Sequence, residues 1–240
     1  MKIAACQVPD VRDDISEAIA IVLKRSSDAD ANDADLVIFP ECFLQGYFTE
    51  ALTATRVAIN LESSEFRAVL QQMEGIHATI VFGLIENSGN DLFNTAAVVR
   101  GGKLLGQYRK SYLLEGERSA FRPGNDFPIF EVADRKFGIN ICYDLQFPEA
   151  LGQLSAKGAE LVVCPCNNMM PFAKAEKYKN QHNEIRRRRA IESNAWLVSA
   201  DVTGARDGRI SYGPTAAINP LGEVIQQVPL SITGMLLVDI

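Results

Sequence analysis

Hydrophobic positions along the chain follow two rhythms: short unbroken apolar runs, and stretches where apolar residues return every three or four positions. The first suits strands buried on both faces and the second suits helices with one buried face, so their alternation predicts an α/β protein. Residues 2–8 read as a strand. Ile15, Ala18, Ile19 and Val22 then recur at helical spacing, with Asp14 and Glu17 placed to form a capping box. Leu36, Val37, Ile38 and Phe39 make a second buried strand that stops at Pro40 and leaves Glu41 at its C-terminal end.

The same rhythms continue. Residues 78–84 and 95–99 read as strands, and Gly101-Gly102 is a hairpin turn into a strand at 103–108, so Lys110 sits just past a strand end. Residues 136–141 form another strand, followed directly by Cys142 and by a helical pattern at Pro148, Glu149, Ala150, Leu151 and Leu154. Leu161, Val162 and Val163 are buried strand residues ahead of Pro165. A helix follows around residues 185–191, then strands at 196–200, 216–218 and 235–240, with turn chemistry at Asn219-Pro220-Leu221-Gly222.

Residues 2–41 and 136–166 each run strand, helix, strand. Their second strands match closely, ADLVIFP at 34–40 against AELVVCP at 159–165. An internal two-fold arrangement of two βαβ-containing halves is the economical reading. With no low-complexity segment or interdomain linker, residues 1–240 read as one domain.

Composition narrows the function classes. The 240 residues are 47% hydrophobic, enough for a large core, yet no apolar run approaches the roughly 20 residues of a membrane span. MKIAACQVPD enters a strand without a signal-peptide layout, so the expectation is a cytoplasmic protein with no membrane partner. A net charge of −6, with acids and bases spread along the chain, gives no reason to expect nucleic acid. The one basic run, Arg186 to Arg189, points all round a helix and reads as a mixture of solvated and inward-paired arginines. Five cysteines in a chain this long read as reduced thiols. Neither His77 nor His182 lies at metal-ligand spacing from them, so neither metal nor cofactor is expected.

Chemistry is suggested by position. Cys142 lies where a strand hands over to a helical segment, a junction that can aim a thiol into a cleft beside backbone N–H groups. Glu41 and Lys110 also follow strand ends, so three strands could deliver a carboxylate, an ammonium and a thiol to one rim. No histidine is placed to serve as the base.

The words around these residues, FPECFLQGY (39–47), YRKSYLLEGERSAFRPG (108–124) and GINICYDLQFPEAL (138–151), resemble the nitrilase superfamily of carbon-nitrogen hydrolases, and its amidase branches in particular. The segments RAIESNAWLVSADVTG (189–204) and GPTAAINPLGEVI (213–225) extend the resemblance over nearly the whole chain. It implies a four-layer α-β-β-α sandwich with internal pseudo-two-fold symmetry. It also implies that Cys142 is the acylated nucleophile, Glu41 the general base and Lys110 the oxyanion partner. Glu117 would help hold lysine and thiol, and the Tyr143 N–H would be the second oxyanion donor.

By the same resemblance Tyr47, Asn167, Asn168 and Met169 border the substrate pocket. The expected reaction is hydrolysis of a small-molecule amide with release of ammonia, with N-carbamoyl amidase or nitrilase activity as alternatives. A catalytically silent binding or assembly module is the alternative from another class. Gln146 stands where many amidase-like members carry an arginine, which removes one bidentate carboxylate contact. The chain ends at residue 240, earlier than many members, which continue into a segment that packs on a second subunit; a homodimer or higher homo-oligomer is still the expectation.

Overall fold

Strands and helices alternate in a computed structural model that describes residues 1–240. In chain order they are β1 (Lys2–Pro9), α1 (Ile15–Asp30), β2 (Leu36–Ile38), α2 (Ala51–Val57), α3 (Ser64–Gln71), β3 (Thr79–Ser88), β4 (Asp91–Arg100), β5 (Lys103–Arg109), β6 (Ile129–Val132), β7 (Arg135–Ile139), α4 (Pro148–Ala156), β8 (Leu161–Pro165), β9 (Met170–Pro171), α5 (Phe172–Tyr178), α6 (His182–Ser193), β10 (Trp196–Arg206), β11 (Arg209–Tyr212), β12 (Ala216–Ile218), β13 (Val224–Gln227) and β14 (Gly234–Asp239). No helix is long and apolar enough to cross a membrane.

The strands form one hydrogen-bonded sheet that curls into two stacked layers. One layer runs β14-β1-β2-β3-β4-β5 and the other β6-β7-β8-β10-β12-β13. Each has two parallel pairings flanked by antiparallel ones, in the same order, which is the pseudo-two-fold that the matching strand words predict. Strand β10 belongs to both layers: residues 196–200 pair with β8, and Asp201, Val202 and Thr203 pair with Gln7, Val8 and Pro9 of β1.

Side-chain alternation builds the layers. Ile3 and Ala5 of β1 face Ile139, Leu161, Val163 and Val198 between the sheets. Ala4, Cys6 and Val8 face the other way, onto Ala18, Ile19 and Val22 of α1 and Phe66 of α3. On the far side Val162, Cys164 and Leu197 pack on Leu151 and Leu154 of α4 and Ala190 of α6. The four-layer α-β-β-α sandwich follows from these three apolar interfaces.

The repeat is visible in hydrogen bonds as well as in sequence. Ahead of β2, the Asp35 N–H donates to the Lys2 carbonyl at 2.8 Å and the Asp35 carboxylate accepts from the Lys2 N–H at 2.7 Å. Ahead of β8, the Glu160 N–H donates to the Lys136 carbonyl at 2.9 Å and its carboxylate accepts from the Lys136 N–H at 3.5 Å. An acid at the same place in each half fixes the start of the neighbouring strand.

Three readings need adjustment. At α1 the Asp14 carboxylate accepts from the Glu17 N–H at 2.9 Å, but this is only one half of the box, because no return bond from Glu17 forms. The helix after Cys142 begins at Pro148; Cys142–Gln146 is a separate 3₁₀ turn, so the thiol sits on a tight elbow and not at a helix N-terminus. Helices α2, α3 and α5 and strands β6, β9, β11 and β13 are additional. They are short, and the β13 side chains are all exposed; α3 alone carries a helical rhythm, burying Phe66, Val69 and Leu70. Within α6 the arginines divide as read: Arg186 and Arg189 are buried, Arg187 and Arg188 exposed.

Candidate active site

Glu41 follows β2, and its position depends on a close approach between backbones. The Gly83 N–H donates to the Pro40 carbonyl at 3.0 Å, and the Leu44 N–H donates to the Gly83 carbonyl at 3.0 Å. A Cβ at Gly83 would lie 2.3 Å from the Cys42 nitrogen, so only glycine lets the segment carrying Glu41 lie against β3. Lys110 follows β5 immediately; its N–H donates to the Asn94 carbonyl and its own carbonyl accepts from Gly124, both at 2.8 Å.

These elements bring two acids and one base together in a space closed to solvent. Lys110 Nζ donates to Glu41 Oε1 at 2.7 Å and to Glu117 Oε1 at 2.9 Å, and all three side chains are buried. Asn94 Nδ2 bridges the same two oxygens, at 2.8 Å from Glu41 and 3.0 Å from Glu117. Glu41 Oε2 accepts from the Asn167 N–H at 3.0 Å, and Glu117 Oε2 from the Leu114 N–H at 2.8 Å. Burial raises the Glu41 carboxyl above its ordinary range; Lys110 opposes the rise and the Glu117 charge adds to it. Burial works against the charged form of Lys110, but the facing carboxylates, Glu41 first, outweigh it and hold the ammonium well above its usual value.

Cys142 opens its 3₁₀ turn at φ +44°, an uncommon conformation for a residue with a Cβ, and is half-buried. Asp144 holds this elbow. One carboxylate oxygen accepts from the Ile141 N–H at 2.8 Å and from the Tyr108 hydroxyl at 2.8 Å. The other accepts from the N–H groups of Ser111 at 3.2 Å and Tyr112 at 2.8 Å. One buried side chain therefore ties the residue before Cys142 to the residues after Lys110. Arg189 fastens the far end of the turn, its Nε donating to the Leu145 carbonyl at 2.7 Å and Nη2 to the Gln146 carbonyl at 3.1 Å. The Tyr143 N–H takes no partner within the chain.

Glu41 and Cys142 share a cavity of about 420 Å³ with Tyr47, Tyr143, Asn167, Asn168, Met169 and Gln146. Lys110 and Glu117 lie behind Glu41, outside the lining. Every residue singled out in the sequence is therefore in or against one site. Asn167 and Asn168 have their side chains committed elsewhere: Asn167 Oδ1 accepts from the Met169 N–H at 3.2 Å and Asn168 is bound to Asp201. Sequence reasoning passed over Asn94 and Asp144. Asn94 is a polar residue, with Thr95 beside it, at a buried place in a largely apolar strand, a readable signal; Asp144 lay inside the word CYDLQ with nothing to mark its four partners.

A family model described as carbon-nitrogen hydrolase matches residues 2–240. The chain belongs to the carbon-nitrogen hydrolase family. Within it, the chain is 32% identical to an (R)-stereoselective amidase of Pseudomonas sp, over 81% of this chain and 69% of the relative. It is 31% identical to a nitrilase of Pyrococcus abyssi (strain GE5 / Orsay), over 84% of this chain and 75% of that one. The solved amidase of Nesterenkonia sp. AN1 superposes with a TM-score of 0.86 at 24% identity, covering 100% of this chain and 93% of that chain, and so shares the fold. Activity of the amidase and nitrilase type, hydrolysis of a carbon-nitrogen bond, follows from membership of this carbon-nitrogen hydrolase family.

Proposed function

We propose that the protein hydrolyses the amide of a small molecule through a thioester on Cys142, releasing ammonia. The observation that carries this reading is the shared cavity of Cys142 and Glu41 with the Lys110 ammonium bound directly behind the carboxylate. Glu41, raised by burial, takes the Sγ proton as the sulfur attacks the carbonyl carbon. An ammonium has three protons, and Glu41 and Glu117 occupy two of those on Lys110. The third, together with the Tyr143 N–H, serves the developing oxyanion. Glu41 returns its proton to the leaving nitrogen, ammonia departs, and a water deprotonated by Glu41 opens the thioester to give the acid and the free thiol.

The resting thiol is neutral: the neighbouring Cys166 thiol, burial and the nearby Glu41 charge hold Cys142 well above the usual thiol value. Proton removal therefore accompanies attack and needs the base in place. The cavity has the size of a metabolite site. Lys174 and Arg209 line it without a carboxylate partner, which favours amides with a polar or anionic far end. Trapping with hydroxylamine tests the proposal. Hydroxamates formed from amides, and lost in Cys142→Ala with the fold retained by circular dichroism, are the expected result; products from nitriles alone, or turnover by Cys142→Ala, would overturn it.

A further inference from the structure

Asn94 stands among the buried charges and carries none itself. It lies on β4 and is closed to solvent. Its backbone carbonyl accepts from the Lys110 N–H at 2.8 Å, and its Nδ2 donates to Glu41 Oε1 at 2.8 Å and to Glu117 Oε1 at 3.0 Å. Lys110 Nζ donates to the same two oxygens. Two donors and two acceptors thus close a ring in which each Oε1 receives two N–H groups, as many as a carboxylate oxygen has lone pairs to offer. Glu41 Oε2 receives only one, from the Asn167 N–H at 3.0 Å. Asn167 lines the cavity with Glu41 and Cys142, whereas Lys110, Glu117 and Asn94 do not. The remaining polar atom of the Asn94 side chain, Oδ1, is buried with no partner. Packing does not account for that, because an apolar side chain would fill the place without an unmet acceptor. What the position uses is the NH₂ group.

Resting on the reading of Glu41 as the base for Cys142, we propose that Asn94 is a positioning residue: with Lys110 it saturates Glu41 Oε1, so that Oε2, on the cavity side, is the atom that takes and returns the proton. In the attack step the Cys142 S–H bond breaks, its proton bonds to Glu41 Oε2, and the sulfur electron pair forms the bond to the substrate carbon. Oε1 then becomes the carbonyl oxygen of the carboxylic acid and still accepts from both Asn94 and Lys110, so the ring stays closed. Collapse of the adduct carries the same proton from Oε2 to the leaving nitrogen. Without the Asn94 NH₂ a lone pair of Oε1 is open, and the proton can settle on the oxygen turned toward Lys110, away from the cavity. The ionised carboxylate also has one donor fewer, which makes it a stronger base.

The experiment compares the full-length wild type with Asn94→Ala and Asn94→Ser, each checked by circular dichroism, in two measurements across pH. One is kcat and KM for an amide; the other is the rate at which iodoacetamide alkylates Cys142, located by peptide mass spectrometry. Both need Glu41 ionised, so both have an acid limb. In Asn94→Ala kcat falls about 10-fold or more with KM little changed, and both limbs move to higher pH by about one unit. Asn94→Ser, which offers a single donor, falls between the two, and it carries the comparison by itself where the alanine variant does not fold. A merely structural role would lower the amount of folded protein and leave both limbs in place. Limbs that stay put or move down, or wild-type kcat in Asn94→Ala, overturn the proposal. Alkylation needs no turnover, so it reads Asn94 independently of the substrate. Glu41→Gln serves as the control: an acid limb of alkylation that persists there overturns the reading of Glu41 as the base, and the proposal with it.

Discussion

Lys110 Nζ and Glu41 Oε1 lie 2.7 Å apart although 69 residues separate them in the chain, and neither side chain meets solvent. A buried pair of this kind adds little net stability, because removing both charges from water costs about as much as their attraction returns. It does fix where the carboxylate points and how readily it takes a proton.

Replacement of Lys110 by alanine removes the cation between two carboxylates. Turnover falls at least about 10²-fold, the cost of an absent oxyanion donor, and Glu41 moves further above its ordinary range because its opposing charge is gone. Steady-state rates with a circular dichroism control check this; near-native turnover would count against Lys110 as an oxyanion partner.

Glu117→Gln has a different signature. The Glu117 charge raises Glu41, so its removal lowers the Glu41 pKa and shifts the acid limb of the kcat/KM profile to lower pH. A pH–rate profile decides the matter, and a limb that stays in place or moves up would separate Glu117 from the base.

Asp144→Asn tests the tie between the two strand ends. All four of its partners are donors, so an amide NH₂ must face at least one of them. The expected loss is about 1–3 kcal/mol of stability and a fall in kcat larger than any change in KM, since the elbow rather than the cavity is disturbed. Urea unfolding and Michaelis kinetics on the same preparation check both, and unchanged values in each would remove Asp144 from this role.

Acid sensitivity should trace in part to His182. Burial, helped by the Arg186 charge, lowers it from 6.5 to about 4. A base depressed by folding contributes stability that is present above its unfolded pKa and is lost as pH falls through the folded value. The native state therefore gives up at most about 3 kcal/mol between pH 6.5 and 4 through this group. His182→Gln lacks the term, so its unfolding free energy falls less steeply than the wild type's over that window; parallel curves would refute the assignment.

The frame and the residues gathered at the candidate site were legible in the sequence for physical reasons. Unbroken runs such as Leu36-Val37-Ile38 are buried on both faces, and Glu41, Lys110 and Cys142 are polar residues standing where such runs stop. What it concealed depends on partners rather than on pattern. Nothing in a linear reading joins Asp144 to Tyr108, or directs Arg186 at Cys166, because those contacts arise only after the two sheets stack. Short pieces such as β9 and α5 escaped for the opposite reason: they follow no apolar rhythm and take their shape from the hairpin of β10 and β11 beside them.

Strand β10 acts as a rivet. Since its first residues are woven into one sheet and its later ones into the other, the sandwich cannot gape like a clam shell without tearing a strand from its neighbours. Outside that riveted frame, Met170, Pro171, Lys174 and Arg209 line the cavity that Cys142 and Glu41 share. That wall is tied to the same rivet, since β9 pairs with β11 and β11 with β10.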